Sequence, residues 1–593
     1  MTLQPDEIDP FDRDQVLDAS GLLGTLNRAG LLAAADLHVT RTMARLLSED
    51  DELVLLALAL AVRGIRFGSS VVDLDHVVDD LRVEAPDVPW PAEVDDHDAW
   101  ADRVRASVLT ASSQRVLVVE GHQVALGRYH ALEVSLSARL VERLAHPPPS
   151  VDEAVLAQDL DRLFAGAENP DQRGAADRAA RSWTSVVTGG PGTGKTTTIA
   201  RLLAALASQH AAVGATRPLT IGLAAPTGKA AARMREALRS AADTEVLTDD
   251  ERAWLGSLDA VTLHRLLGPR PDHRTAFKHH AGQKLAHDVV VVDETSMVSL
   301  LMMERLLQAV PTTCRLVLVG DPEQLASVEA GAVLRDVADG LGGPDGPHVS
   351  HLRHGFRFSG PIGELAAAVV AGDGEAALEI LGAGHAEVRL VDPSDVSSIV
   401  SGRPLEQARA VAAAAADHDP QRGLAILGEH RLLVAHRDGP AGVVRWNDEL
   451  ERAVRTYPDP AQPWYVGRPV LVTRNDAALG VNNGDVGIAT STDGLLTVEL
   501  DTGRTVAAAR LAAAQTAYAS TVHRSQGSEF DHVTLVLPDE DSLVLTRELL
   551  YTAITRAKAS IVVVGTAEVV LAAVARRSAR GSGLARRLRA STR

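Results

Sequence analysis

The sequence predicts an α/β chain: two parallel sheets flanked by helices, a mostly helical N-terminal domain ahead of them, and a small β-rich insert in the second sheet domain. Three observations lead there. From Val151 onward, short apolar runs alternate with stretches of helical spacing, the pattern of parallel strands with helices on both faces. That alternation occurs twice, with a new series beginning near Gly355. Between Pro469 and Val506 it gives way to short strands split by Asn482-Asn483-Gly484-Asp485 and Asp493-Gly494, which reads as a barrel-like insert.

At 593 residues the chain is too long for one core. In the expected N-terminal domain, residues 1–150, Leu22 to Leu47, Leu53 to Val62 and Leu132 to Leu144 have helical apolar spacing. Val116–Val119 and Val124–Leu126 form a hairpin around Gly121, and Pro147-Pro148-Pro149 marks a linker. This domain carries no catalytic motif, its residue chemistry assigns it no role, and docking is the expectation. The first sheet domain spans 151–350, with strands expected at Trp183–Val187, Leu219–Ala225, Asp288–Val292 and Arg315–Val319. The second spans 351–575, with strands at Leu432–Ala435, His532–Leu537 and Ile561–Val564 and the insert at about 469–506. A basic tail, 576–593, ends the chain.

Bulk properties narrow the class. Cys314 is the single cysteine, which excludes a disulfide framework or a cysteine-based zinc site and fits a reducing cytoplasm. Met1 to Gln15 lacks the apolar core of a signal peptide, and no run is apolar enough to span a bilayer, so no membrane partner is expected. The net charge of −19 taken alone argues against nucleic acid, but a narrow basic groove can sit on an acidic body. Asp73 to Asp98 holds ten acids and one base, and Arg576 to Arg593 holds seven arginines and no acid. These read as a solvated acidic face and a frayed tail.

The chemistry centres on Thr188-Gly189-Gly190-Pro191-Gly192-Thr193-Gly194-Lys195-Thr196-Thr197, set between a strand and a helix. This is the P-loop pattern. Its glycines let successive N–H groups point at phosphate oxygens, and the helix that follows adds the positive end of its dipole. Lys195 reaches the β- and γ-phosphates of ATP, and Thr196 is a ligand for Mg²⁺. Val289 to Val292 ends in Asp293-Glu294, where Asp293 holds the Mg²⁺ shell and Glu294 polarises the attacking water. Gln324, after the next strand, sits where an amide touches both the γ-phosphate and the following domain. Hydrolysis builds negative charge that a neighbouring arginine can neutralise, and Arg357 and Arg556 are the candidates.

The ordered set resembles superfamily 1 DNA helicases. It comprises Gln172, the P-loop, Pro226-Thr227-Gly228-Lys229, Thr262-Leu263-His264-Arg265-Leu266-Leu267-Gly268, Asp293-Glu294, Gly320-Asp321-Pro322-Glu323-Gln324, Phe356-Arg357, Thr521-Val522-His523-Arg524-Ser525-Gln526-Gly527-Ser528-Glu529 and Tyr551 to Lys558. Within that superfamily it is similar to the RecD group, the alpha chains of RecBCD-type exonuclease V. The Thr262–Gly268 string, Asn482-Asn483-Gly484-Asp485-Val486-Gly487 and Arg580 to Leu584 support the narrower match.

The resemblance implies two RecA-like domains, an SH3-like insert in the second, and a small strand-separating hairpin at about 268–287. It implies that Gln172 reads adenine, Phe356 stacks on the base and Glu529 contacts the ribose. Thr227, Lys229, His264, Thr521 and His523 become DNA contacts of the phosphate and sugar kind, which ignore sequence. The expected activity is an ATP-dependent 5′→3′ helicase working with RecB- and RecC-like subunits in a heterotrimer on single- and double-stranded DNA ends. A stand-alone helicase and an architectural ATP-binding subunit are the alternatives. The clustered histidines between Gly268 and His287 meet no metal-ligand spacing.

Overall fold

The computed structural model describes residues 14–592 apart from 114, 167–169, 243, 271–272, 356–359, 456–461, 477, 493, 540–541 and 579. The N-terminal part packs helices Gly21–Arg28, Ala34–Leu47 and Glu52–Arg66 around Leu26, Leu37, Leu56, Leu60 and Trp100. One helix was expected from Leu22 to Leu47. The chain instead breaks after Arg28, with Gly30 in the left-handed region at φ 75°. The hairpin Leu117–Glu120 and Gln123–Leu126 turns at Gly121, φ 61°, and Val72–Asp73 adds a third strand.

The first lobe is a six-stranded parallel sheet in the order Val349–Leu352, Thr184–Gly189, Arg315–Gly320, Val289–Val292, Ile221–Ala225, Ala260–Thr262. Val289 and Val291 face a core shared with helices Pro170–Ala180, Lys195–Ala212 and Gly228–Ala242. Val290 and Val292 face the opposite core, shared with Leu300–Ala309 and Val333–Gly340. Burial on both faces is why this strand reads as an unbroken apolar run. Helix Gly127–Ala145, expected in the N-terminal domain, lays Leu136 and Leu140 into that second core. Its buried Arg143 donates to Thr184 Oγ1 at 2.8 Å and to the Trp183 carbonyl at 2.7 Å, tying the helix to the strand that carries the P-loop.

The second lobe is a five-stranded parallel sheet in the order Val388–Val391, Ala557–Val564, Phe530–Val536, His430–Val434, Ala519–Thr521. Its insert is a five-stranded antiparallel sheet with a core of its own around Val470, Val472, Ala489, Val498 and Leu500. That sheet runs past Val506 to a last strand, Ala514–Thr516, just ahead of the edge strand of the lobe. Pro269–Arg270 pairs with His273–Phe277, a two-stranded hairpin where the small insert was expected.

The tail is not frayed. Leu584–Thr592 is a helix, and Leu584 and Leu588 are fully buried in the core of the first lobe. Ser70 and Val71 donate backbone N–H groups to the Gly581 carbonyl at 2.8 and 3.2 Å. Arg586 and Arg587 each pair with Glu120 at 2.7 Å. Burial raises the Glu120 carboxyl, but hydrogen bonds from His130, Arg587 and Arg586 outweigh it and hold it at about 2. The local sequence shows the arginines but not the acid that the fold brings to meet them. No helix among the described residues is long and apolar enough to cross a membrane.

Candidate functional site

The P-loop is tight for identifiable reasons. A Cβ on Gly189 would lie 2.7 Å from Thr193 Oγ1 and 3.0 Å from the Leu352 carbonyl oxygen. Gly192 and Gly194 take φ of 76° and 78°, which L side chains resist. Lys195 opens the helix Lys195–Ala212, and its Nζ folds back to the carbonyls of Gly189 and Gly190 at 2.7 and 2.8 Å. Thr193 Oγ1 closes the loop on the Gly190 carbonyl at 2.8 Å. Buried Gln172 donates Nε2 to the Thr193 carbonyl at 3.1 Å, so it braces the loop as well as lining the cavity beside Pro191, Thr196 and Thr197.

Asp293 and Glu294 follow the all-valine strand. Glu294 is a non-glycine residue at φ 50°, a strained conformation of the kind that clusters at working sites. Its N–H donates to Asp293 Oδ1 at 2.8 Å. Burial and the neighbouring Glu294 push the Asp293 carboxyl up to about 6. Thr196, Asp293 and Lys195 line the same cavity of about 760 Å³. A hydroxyl, a carboxylate and open space suit Mg²⁺, which keeps several of its waters.

The second lobe closes the far side. Arg556 is 2% exposed, with Nε on the Thr552 carbonyl at 3.0 Å and Nη1 on the Ser528 carbonyl at 3.1 Å. Burial lowers its pKa, and the carboxylates of Glu294 and Glu529 act against that. Glu529 pairs with Arg233 of the first lobe at 2.9 Å, and Arg233 also donates to the Gly527 carbonyl at 2.8 Å. Gln324 donates Nε2 to Asp321 at 3.1 Å. Its neighbour Leu325 sits in the core of the second lobe, with its N–H on Thr552 Oγ1 at 2.9 Å. Lys195, Glu294, Gln324, Glu529 and Arg556 thus face one cavity. Phe356 and Arg357 lie outside the described residues. Arg233 escaped the sequence reading because it lies seven residues after Pro226, on an ordinary helical face.

The candidate DNA contacts stand at strand ends. Thr227 Oγ1 accepts from the Ala230 N–H at 3.1 Å, and Thr521 Oγ1 from the Arg524 N–H at 3.4 Å. Each hydroxyl begins a helical turn after a strand of its own lobe. His264 lies beside Phe277 of the small hairpin, ring centres 5.8 Å apart, and burial lowers its pKa. His523 is half-buried, and burial and the charge of Arg580 lower its pKa. Lys229 is half-buried. Burial, with repulsion from Arg431 and against attraction to Asp501 of the insert, pushes its amine down to about 8.

Residues 172–330 match the AAA domain family, 516–564 the UvrD-like helicase C-terminal domain, and 28–124 the N-terminal domain of RecBCD enzyme subunit RecD. The chain is 47% identical to RecBCD enzyme subunit RecD of Mycolicibacterium smegmatis, over 95% of this chain and 98% of the relative. It is 46% identical to the subunit of the same name from Mycobacterium tuberculosis, over 98% of this chain and 99% of the relative. An ATP-dependent RecD2 DNA helicase of Deinococcus radiodurans is 33% identical over 71% of this chain but only 52% of its own length.

Proposed function

Since the chain belongs to the RecD family of RecBCD enzyme subunits, we propose that its cleft drives a 5′→3′ DNA helicase at DNA ends. The chain is an ATP-dependent DNA helicase subunit. Its setting is a heterotrimer with RecB- and RecC-like partners, acting in double-strand break repair by homologous recombination. The observation that carries this reading is the shared cavity: Lys195 and Glu294 from one lobe face Arg556 and Glu529 from the other.

Lys195 leaves the Gly189 and Gly190 carbonyls and meets the β- and γ-phosphates. Gln172 and Glu529 hold the base and the ribose. Mg²⁺ held by Thr196 and Asp293 would supply charge neutralisation at the phosphates. Glu294 orients the attacking water and takes its proton. Arg556, with Arg357 as its expected companion, stabilises the charge that builds as the phosphoryl group transfers. Closing and opening of the lobes alternates their grip on a single strand held by Thr227, Lys229 and His264 on one side and Thr521 and His523 on the other.

The match of residues 28–124 to the RecD N-terminal domain supports a subunit over a stand-alone helicase. A purified complex carrying Lys195→Gln tests the motor. Loss of unwinding from 5′-tailed duplexes is expected. Full retention of 5′-tailed unwinding would make the chain an architectural subunit.

A further inference from the structure

Gln324 stands between two cavities: the cleft on one side and, behind it, a small chamber of about 60 Å³ with a mixed polar and apolar lining. The chamber has room for a few water molecules. Ser296 and Gln324 line it from the first lobe, Asp336 from helix Val333–Gly340, Glu548 from the second lobe, and Ser578 and Arg580 from the tail. Three of these side chains bring a buried oxygen that has no hydrogen-bond partner among the described residues: Ser296 Oγ, Gln324 Oε1 and Asp336 Oδ2. Buried polar atoms are costly to leave unpaired, and three on residues that line one small chamber are a setting in which waters bridge.

We propose that Asp336 and Ser296 are positioning residues for ATP hydrolysis, fixing the amide of Gln324 through waters in this chamber. The inference rests on the hydrolytic reading of the cleft. One end of the amide is already held, because Nε2 donates to Asp321 at 3.1 Å. The other end, Oε1, is an acceptor and needs a donor. With both ends held, the second N–H of Nε2 is left for the γ-phosphate, and a flip that would turn the carbonyl oxygen towards phosphate is blocked. Burial pushes Asp336 up to about 7, so near neutrality it spends much of its time as a donor. Glu133 and Asp339 add to that rise, while the Ser582 hydrogen bond and Arg335 oppose it. Glu548 and Arg580 complete the charged surroundings of the chamber.

The test is steady-state, DNA-stimulated hydrolysis by the full chain carrying Asp336→Ala, Asp336→Asn or Ser296→Ala. A slackened amide should cost Asp336→Ala about tenfold in kcat, with KM for ATP held within about twofold. Asp336→Asn keeps a donor and an acceptor and should recover kcat to within about threefold of the wild type. Ser296→Ala should lose about threefold in kcat alone. Wild-type kcat in a folded Asp336→Ala, or an equal loss in Asp336→Asn, overturns the positioning role. If Asp336→Ala does not fold, an unchanged kcat in Ser296→Ala overturns it instead. Absence of DNA-stimulated hydrolysis in the wild type would overturn the underlying reading of the cleft, whereas normal hydrolysis in the variants overturns only this inference.

Discussion

Tyr551 of the second lobe donates its hydroxyl to Asp321 of the first at 2.9 Å. The same hydroxyl lies 3.0 Å from where a Cβ on Gly190 would sit, so the tyrosine touches the P-loop and the Gln324 turn at once. Tyr551→Phe removes the hydroxyl and leaves that Asp321 oxygen with Gln324 Nε2. A stability cost of about 1 kcal/mol is expected. DNA-stimulated kcat should fall several-fold with little change in KM for ATP, read by phosphate release. Gly190→Ala should also lower kcat, because its methyl presses on the Tyr551 hydroxyl at 3.0 Å.

Arg556 is expected to be irreplaceable by lysine. Its guanidinium spans the Thr552 and Ser528 carbonyls while sensing Glu294, and a lysine cannot form that fork. Arg556→Lys should lower kcat by about 100-fold or more. Arg556→Ala should also lower the unfolding temperature, because the Ser528 carbonyl loses its guanidinium donor while the Thr552 carbonyl keeps only the Thr555 hydroxyl. Calorimetry beside steady-state kinetics separates the two effects.

Lys229 gives a pH signature. An amine pushed down to about 8 is charged at pH 7 and mostly neutral at pH 9. Affinity for a single-stranded oligonucleotide should therefore weaken as pH rises through 8, and Lys229→Arg should remove that dependence. Lys229→Ala should weaken binding at pH 7 and make the salt slope there shallower by about 0.7, with a much smaller effect at pH 9. Fluorescence anisotropy titrations at several salt concentrations read both.

The tail is predicted to be structural. Leu588 is fully buried against the first lobe, so Leu588→Ala should cost about 2–5 kcal/mol. Glu120→Gln, which takes the charge partner from Arg586 and leaves Arg587 with Glu133 alone, should make the tail open more readily in hydrogen exchange. The depressed Glu120 carboxyl contributes stability above its unfolded pKa of about 4.3, and that contribution is lost as pH falls through about 2.

Much of this architecture was legible in the sequence. The central strands announce themselves: Val289–Val292 is buried on both faces and is valine throughout. The edge strands do not. Ala260–Thr262, Val349–Leu352, Val388–Val391 and Ala519–Thr521 have three or four residues each, with too few apolar positions to set a period. The P-loop and Asp293-Glu294 were readable because their chemistry is local in sequence. The links between the lobes, Arg233 with Glu529, Tyr551 with Asp321 and Leu325 with Thr552, join residues hundreds of positions apart, and no local pattern encodes them.

The most direct test is phosphate release by the purified chain with its partners, with and without a single-stranded oligonucleotide, in the wild type and in Glu294→Gln. The account predicts that DNA raises the wild-type rate at least about tenfold and that Glu294→Gln abolishes the stimulated rate while still binding ATP. A wild-type rate indifferent to DNA would contradict it.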